Sequence, residues 1–285
     1  MKVNFMLIGG QKCGTTTLFD ILNSHPLIVG CSVKEPNFFS KSNNWKQKET
    51  LYHTLFKKQT DAIFFEASTS YTAYPLNNLH ISDDIFEYNS DMKFIYIVRN
   101  PIERIVSSYM HTFLRGYTNL CIEDALVKSR LYIDMTRYYT QIYPYIRKFG
   151  RNSVLIIDFD DLFSNTIEAI KNISEFLCID FKKFPDNVYK IHSNISIGSR
   201  RKHYKFDSPS FILKVIKDHF PSFWNKITDN SKRSFKEKPE LKHEQKEMII
   251  NLLRLEIIEM QKLMNKDLSK WMLVENQGER INSGI

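Results

Sequence analysis

An α/β fold in three layers, a central parallel sheet flanked by helices, is predicted by three observations. Short apolar runs alternate with amphipathic stretches. Phe5-Met6-Leu7-Ile8, Leu27-Ile28-Val29, Ala62-Ile63-Phe64-Phe65, Lys93 to Val98 and Ser153 to Ile157 read as buried strands with helices between them. The first run meets a glycine-bracketed polar loop that leads into Leu18-Phe19-Asp20-Ile21-Leu22 at helical spacing. Two later strands end in charged residues, Lys34-Glu35 and Arg99-Asn100-Pro101, and in a parallel sheet all such ends open on one edge.

The first loop, Gly9-Gly10-Gln11-Lys12-Cys13-Gly14-Thr15-Thr16-Thr17, is a phosphate cradle. Glycines let backbone N–H groups turn toward an anion, and the following helix start adds unpaired donors and a positive dipole end. Gly9 and Gly14 keep the spacing of a nucleotide P-loop, so the fold is P-loop-like. However, Thr15 stands where a triphosphate site has its lysine, and Lys12 lies inside the loop. Such a loop suits a shorter 5′ anion held without a metal, and Gly10, Gln11, Lys12, Cys13, Gly14, Thr15, Thr16 and Thr17 are its candidate binding residues.

Taken in order, Asn23-Ser24-His25-Pro26 stops the first helix, because proline disfavours the α conformation in the residue before it. Lys34-Glu35 then places a carboxylate at the end of the second strand, with Phe38-Phe39 behind it. Lys46 to Lys58 reads as a polar helix, and the third strand runs into Glu66-Ala67-Ser68-Thr69-Ser70-Tyr71. After the Lys93 to Val98 strand, Asn100 is a good N-cap and Pro101 a good first helical residue. Ile102, Ile105, Val106, Tyr109 and Phe113 mark the buried face of that helix, and Arg104, Ser107 and His111 fall off it. Arg130 to Lys148 is a tyrosine-rich amphipathic helix, and Asp158 to Asp161 opens another that continues, with room for a break, to Leu177. Between Phe184 and Asp207 a long loop brings Arg200 and Arg201 toward the site. Lys236 to Met264 closes the fold with the apolar stripe Ile249, Leu253, Ile257, Met260 and Met264. We expect one domain over residues 1–274 and a flexible tail over 275–285.

The net charge is +8, from 40 Lys+Arg against 32 Asp+Glu, which suits a phosphorylated nucleotide or another polyanion without selecting one. Cys13, Cys31, Cys121 and Cys178 form no C-x-x-C pair and no dense framework, so neither a zinc site nor a disulfide scaffold is indicated, and a reduced, cytoplasmic setting is expected. No run approaches 18 apolar residues, the length a membrane span needs.

Together these pieces resemble the sulfotransferases that use 3′-phosphoadenosine 5′-phosphosulfate, most of all the glycan branch with the heparan sulfate enzymes and their bacterial relatives. The motifs are Lys12-Cys13-Gly14-Thr15 in the 5′-phosphosulfate loop, and Arg99-Asn100-Pro101 with Arg104, Ser107 and Tyr109 at the 3′-phosphate. Lys34-Glu35 ahead of Phe38-Phe39 matches the catalytic acidic pair, and Asp158 to Leu162 and Asp267 to Trp271 match segments of bacterial members. The resemblance implies an in-line transfer with Glu35 as base and Lys12 stabilising the leaving phosphate. It also implies donor contacts from Arg99, Ser107, Arg200 and Arg201, adenosine 3′,5′-bisphosphate as product, and no metal. Lys34, Glu66 and His111 are the candidate acceptor contacts, and Glu66 competes with Glu35 for the role of base. The expected partner is a glycan or glycoconjugate rather than a nucleic acid, with protein tyrosine or a small molecule as the alternative acceptor. A nucleotide kinase or a non-catalytic nucleotide- or glycan-binding protein would share parts of the pattern. The chain departs from heparan-type members in two places: Ala67 follows Glu66 where a lysine is common, and Cys178 has no partner for a disulfide-closed loop.

Overall fold

The computed structural model describes residues 1–77, 80–188, 233–235 and 237–274. Arg200 and Arg201, expected in the late basic loop, and the tail over 275–285 lie outside the described residues. Five strands form one sheet in the order β2-β3-β1-β4-β5, where β1 is Phe5–Gly9, β2 Ile28–Gly30, β3 Ile63–Ala67, β4 Lys93–Val98 and β5 Val154–Asp158. All four pairings are parallel. The near-continuous apolar runs follow from this: β1 is buried at every position and β4 at all but Lys93, because helices cover both faces. The first connection carries the chain to the β2 edge and the later ones to the β4–β5 side, so the order reverses around β1. The loop after β1 therefore sits at a switch point of the sheet.

The helices that matter for the site are α1 (Thr15–Asn23), α2 (Phe38–Lys41), α3 (Trp45–His53), α4 (Ile81–Tyr88), α5 (Pro101–Leu114), α6 (Ile122–Lys128), α7 (Leu131–Asp134), α8 (Tyr138–Phe149), α9 (Phe159–Ser164), α10 (Thr166–Leu177) and α11 (His243–Met264). Asn100 caps α5 as its sequence position implies, accepting from Ile102 N at 3.0 Å and Glu103 N at 3.3 Å. The stripe on α11 is core: Ile249, Leu253, Ile257 and Met260 are buried. Glu256, beside that stripe, accepts from the Thr140 amide at 3.0 Å and its hydroxyl at 2.5 Å, which docks α11 on α8.

Three expectations are corrected. The polar helix after the second strand covers only Trp45–His53. The single helix expected over 130–148 is broken into α7 and α8. The Tyr132 carbonyl is taken by the Arg104 guanidinium and the Thr136 hydroxyl, each at 2.9 Å, while the Thr136 amide tightens onto Ile133 O at 2.8 Å. Arg104 itself, expected off the buried face of α5, is 0% exposed. Among the described residues no helix is long and apolar enough to cross a membrane.

Candidate active site

The loop after β1 is shaped by backbone that only glycine tolerates. Gly14 has φ +87°, and a Cβ there would lie 2.8 Å from the Phe163 ring. Gly14 is the N-cap of α1 and, having no side chain, leaves the helix start without a side-chain cap from that position. Lys12 has φ 68°. Successive N–H groups in such a turn form a concave nest for an anion.

Gly10 and Cys13, both candidate binding residues, turn their amides inward instead. Gly10 N donates to Ile97 O at 2.6 Å and Cys13 N to Gly10 O at 3.1 Å. The Cys13 thiol is buried 3.7 Å from the Tyr138 hydroxyl, and burial pushes its pKa up to about 11, so it is an inert packing group. These two residues build the loop, whereas Gln11 is exposed and Lys12, Gly14 and Thr16 are partly exposed. Thr15 and Thr17 bury their side chains against the core.

Two arginines brace this loop, and they do so differently. Arg104 donates to Gln11 O at 3.1 Å, Gln11 Oε1 at 3.2 Å, Tyr132 O at 2.9 Å and Thr136 Oγ1 at 3.2 Å. Its guanidinium is fully buried among neutral acceptors, and burial lowers its pKa. Arg99 leaves β4 at the cleft and approaches Lys12 O at 3.5 Å. Its planar group lies over the Phe159 ring, 4.2 Å from the centroid, and it pairs with Glu103 at 3.1 Å. Lys238 also bonds Glu103, so one carboxylate gathers two cations.

Glu103, Ser107 and His111 follow at four-residue steps along the partly exposed stripe of α5. The Lys12 ammonium lies 3.5 Å from His111 Nδ1. Lys12, Arg99, Ser107 and His111 are thus brought to one edge of the sheet, as the sequence pattern implies.

The second cluster is built on the β2 and β3 ends. Glu35 has φ 61°, its amide donates to Ala67 O at 2.9 Å, and its carboxylate accepts from Thr69 N at 3.0 Å and Thr69 Oγ1 at 3.2 Å. Lys34 Nζ approaches it at 3.5 Å, with the two side chains about a quarter and a third exposed. Glu66, the rival base and candidate acceptor contact, is the fourth of the five β3 residues and is 0% exposed, so it sits in the interior. His25, in the segment that stops the first helix, is likewise buried. It accepts from Leu27 N at Nδ1, which leaves Nε2–H to donate to Asp180 O, so it fastens the end of α1 and takes no part in the cleft.

Reading the sequence missed Phe159 and Phe163, whose rings pack 4.4 Å apart and support Arg99 and Gly14 respectively. Their signal was an aromatic pair at i and i+4 directly after a strand end. The segments Asp158 to Leu162 and Asp267 to Trp271 turn out to be parts of one clamp. Lys266 bridges Asp158 at 2.6 Å and Asp161 at 2.8 Å, and Trp271 packs on Tyr138.

With this geometry in place, comparison with known proteins gives a consistent result. Residues 2–266 match the model of the sulfotransferase domain. The chain belongs to the sulfotransferase family. It is 25% identical over 243 residues to heparan sulfate glucosamine 3-O-sulfotransferase 5 of Mus musculus, covering 76% of this chain and 68% of that protein. It is also 23% identical over 203 residues to the bifunctional heparan sulfate N-deacetylase/N-sulfotransferase 1 of Caenorhabditis elegans, covering 65% of this chain and 23% of that one. Among solved structures, a sulfotransferase from Alicyclobacillus acidocaldarius superposes with a TM-score of 0.70 at 21% identity, over 96% of this chain and all of that one. The fold of this sulfotransferase is thus shared with a bacterial enzyme, and its sequence lies within reach of glycan-modifying ones.

Proposed function

We propose that this sulfotransferase moves a sulfuryl group from 3′-phosphoadenosine 5′-phosphosulfate to a hydroxyl or amine of a carbohydrate, within one domain over residues 1–274. Glu35 acts as base and Lys12 stabilises charge on the leaving phosphate. The observation that carries the reading is convergence at one loop: the Lys12 ammonium beside His111, the Arg99 guanidinium against the same loop, and an α1 N-terminus that Gly14 leaves without a side-chain cap. The residues present fit a donor with two separate anionic groups. Gly14 leaves no room for a side chain at the loop, and Arg99, stacked on Phe159, approaching Lys12 O and paired with the exchangeable Glu103 carboxylate, offers a flat fork for a second anion.

The donor supplies an activated S–O bond, and the protein supplies position and charge. Sulfuryl transfer, like phosphoryl transfer, asks mainly that acceptor and donor be held in line and that charge on the departing oxygen be stabilised. The acceptor O–H or N–H proton passes to Glu35 as the new bond to sulfur forms, and the donor leaves as adenosine 3′,5′-bisphosphate. Thr69 holds the Glu35 carboxylate through both its amide and its hydroxyl, and an ionised carboxylate keeps further lone pairs for a substrate proton. Ser107, on the same stripe of α5, serves the 3′-phosphate with Arg99, and His111, beside Lys12, contacts the acceptor.

The names of the relatives support a carbohydrate acceptor. The test is mass spectrometry after incubation with the sulfate donor and a panel of heparan sulfate, other polysaccharides, a tyrosine peptide and small phenols. Sulfation of a polysaccharide is the expected result. Transfer confined to the peptide or the phenols would overturn the glycan assignment, and absence of any bisphosphate release would overturn the donor assignment.

A further inference from the structure

Glu66 occupies an expensive position. It is 0% exposed within a parallel strand, its Oε2 accepts from Ser68 Oγ at 3.3 Å, and among the described residues neither its Oε1 nor the neighbouring Tyr52 hydroxyl has a hydrogen-bond partner. A buried carboxyl costs more than an apolar side chain of the same size unless its contacts are useful elsewhere. The hydroxyls around it point to that use. Ser68 Oγ accepts from the Asn37 amide at 3.0 Å, and the Tyr71 hydroxyl, which lies beside Glu66, accepts from the Phe39 amide at 3.2 Å. Both amides belong to the short segment that carries Glu35. In that segment Glu35 (φ 61°) and Asn37 (φ 55°) are left-handed, a conformation that costs a residue with a side chain on the order of 1 kcal/mol or more and persists only where the surroundings impose it.

We propose that Glu66 is a positioning residue: it takes the hydroxyl proton of Ser68, so that a Ser68 lone pair stays aimed at the Asn37 amide and holds the turn that presents Glu35. A hydroxyl has one proton, and a fixed acceptor for that proton fixes which way its lone pairs face. The role in turnover rests on the reading of Glu35 as base; the grip on the turn does not.

Hydrogen exchange of the Asn37 and Phe39 amides in the full chain tests it. Glu66→Leu and Ser68→Ala each accelerate Asn37 by about tenfold and leave Phe39, which Tyr71 holds, within about twofold of the native rate, a pattern that a general loss of stability does not produce. Exchange within about twofold of the native rate at Asn37 in Glu66→Leu, or equal acceleration at both amides, overturns the proposal. Should that variant not fold, Glu66→Met, which keeps the volume without an oxygen acceptor, is read in the same way. Alongside exchange, kcat on the acceptor found by the panel falls about tenfold while bisphosphate affinity stays within about twofold. A loosened Asn37 amide with undiminished kcat would uphold the grip and overturn Glu35 as the base.

Discussion

Replacing Arg104 tests how the phosphate loop is held. The guanidinium makes four hydrogen bonds, two of them to Gln11 in the loop and two to the α7 segment, and none of its partners carries a charge. Arg104→Met keeps most of the volume but leaves the Gln11 carbonyl, the Gln11 amide oxygen and the Thr136 hydroxyl oxygen without this donor, and the Tyr132 carbonyl with the Thr136 hydroxyl alone. Each orphaned buried group costs about 1–3 kcal/mol, reduced where the freed Gln11 side chain reaches water, so the loss is about 3 to 5 kcal/mol. That corresponds to a fall in Tm on the order of 10 °C. The lost charge has a separate effect. A unit charge about 10 Å from a bound anion at an effective dielectric near 20 is worth roughly 1.5 kcal/mol, so bisphosphate affinity falls about tenfold. Arg104→Lys restores the charge but not the fork, and should recover most of the affinity and little of the stability. Urea denaturation and calorimetric titration with adenosine 3′,5′-bisphosphate read the two separately. A stability loss below about 1 kcal/mol in Arg104→Met would refute the view that this side chain braces the loop.

Three other predictions address the cleft. Glu35→Gln leaves bisphosphate affinity and Tm nearly unchanged while turnover drops by about 10²-fold or more, whereas Lys12→Ala lowers turnover by much more than bisphosphate affinity; steady-state kinetics with calorimetry checks both. Arg99→Ala costs about 1.5 to 3 kcal/mol in bisphosphate affinity and almost nothing for 5′-AMP, and Glu103→Gln, which removes the competing carboxylate, improves bisphosphate affinity by a few fold; equal effects on the two nucleotides would place Arg99 elsewhere. Burial raises the Glu66 pKa from 4.5 to about 7, with Glu35 adding to the rise and the Tyr71, Ser68 and Tyr52 hydroxyls opposing it. The folded chain therefore keeps a proton that the unfolded chain releases, so relative to Glu66→Gln the native protein loses stability as pH rises from about 4.5 to 7 and levels off above, by about 3 kcal/mol, measurable by denaturation across that range.

The parts of the site that were legible in the sequence are those where residue type and backbone need coincide. Gly9 and Gly14 mark the loop because only glycine fits there, and Asn100-Pro101 marks the start of α5 because a cap and a fixed φ are wanted there. Arg104 was illegible for the opposite reason. On a helical wheel it neighbours Ile105, and charge argues for water, yet the loop and α7 cover it and supply acceptors that lie far away in sequence. The sequence favoured Glu35 over Glu66 as base but did not show what separates them. Both stand near strand ends, and what separates them is that β3 continues through Ala67, so that Glu66 points into the packed interior while Glu35 turns out on a left-handed backbone that glutamate does not announce.

The charges around the loop also explain why an anion belongs there. Arg104 is a buried cation whose hydrogen bonds are satisfied but whose charge is not, since all four acceptors are neutral. Hydrogen bonding offsets the lost hydration of its N–H groups, and it leaves a positive potential beneath Gln11. Lys12 adds a second cation above, and Arg99 a third whose partner Glu103 it shares with Lys238. In water-poor surroundings such a field is preorganised: it favours negative charge at the loop before any ligand arrives and favours it more as charge on the ligand increases. In the mechanism proposed above, a group that gains negative charge when its bond to sulfur breaks is therefore bound more tightly as it leaves, and that difference would accelerate the transfer.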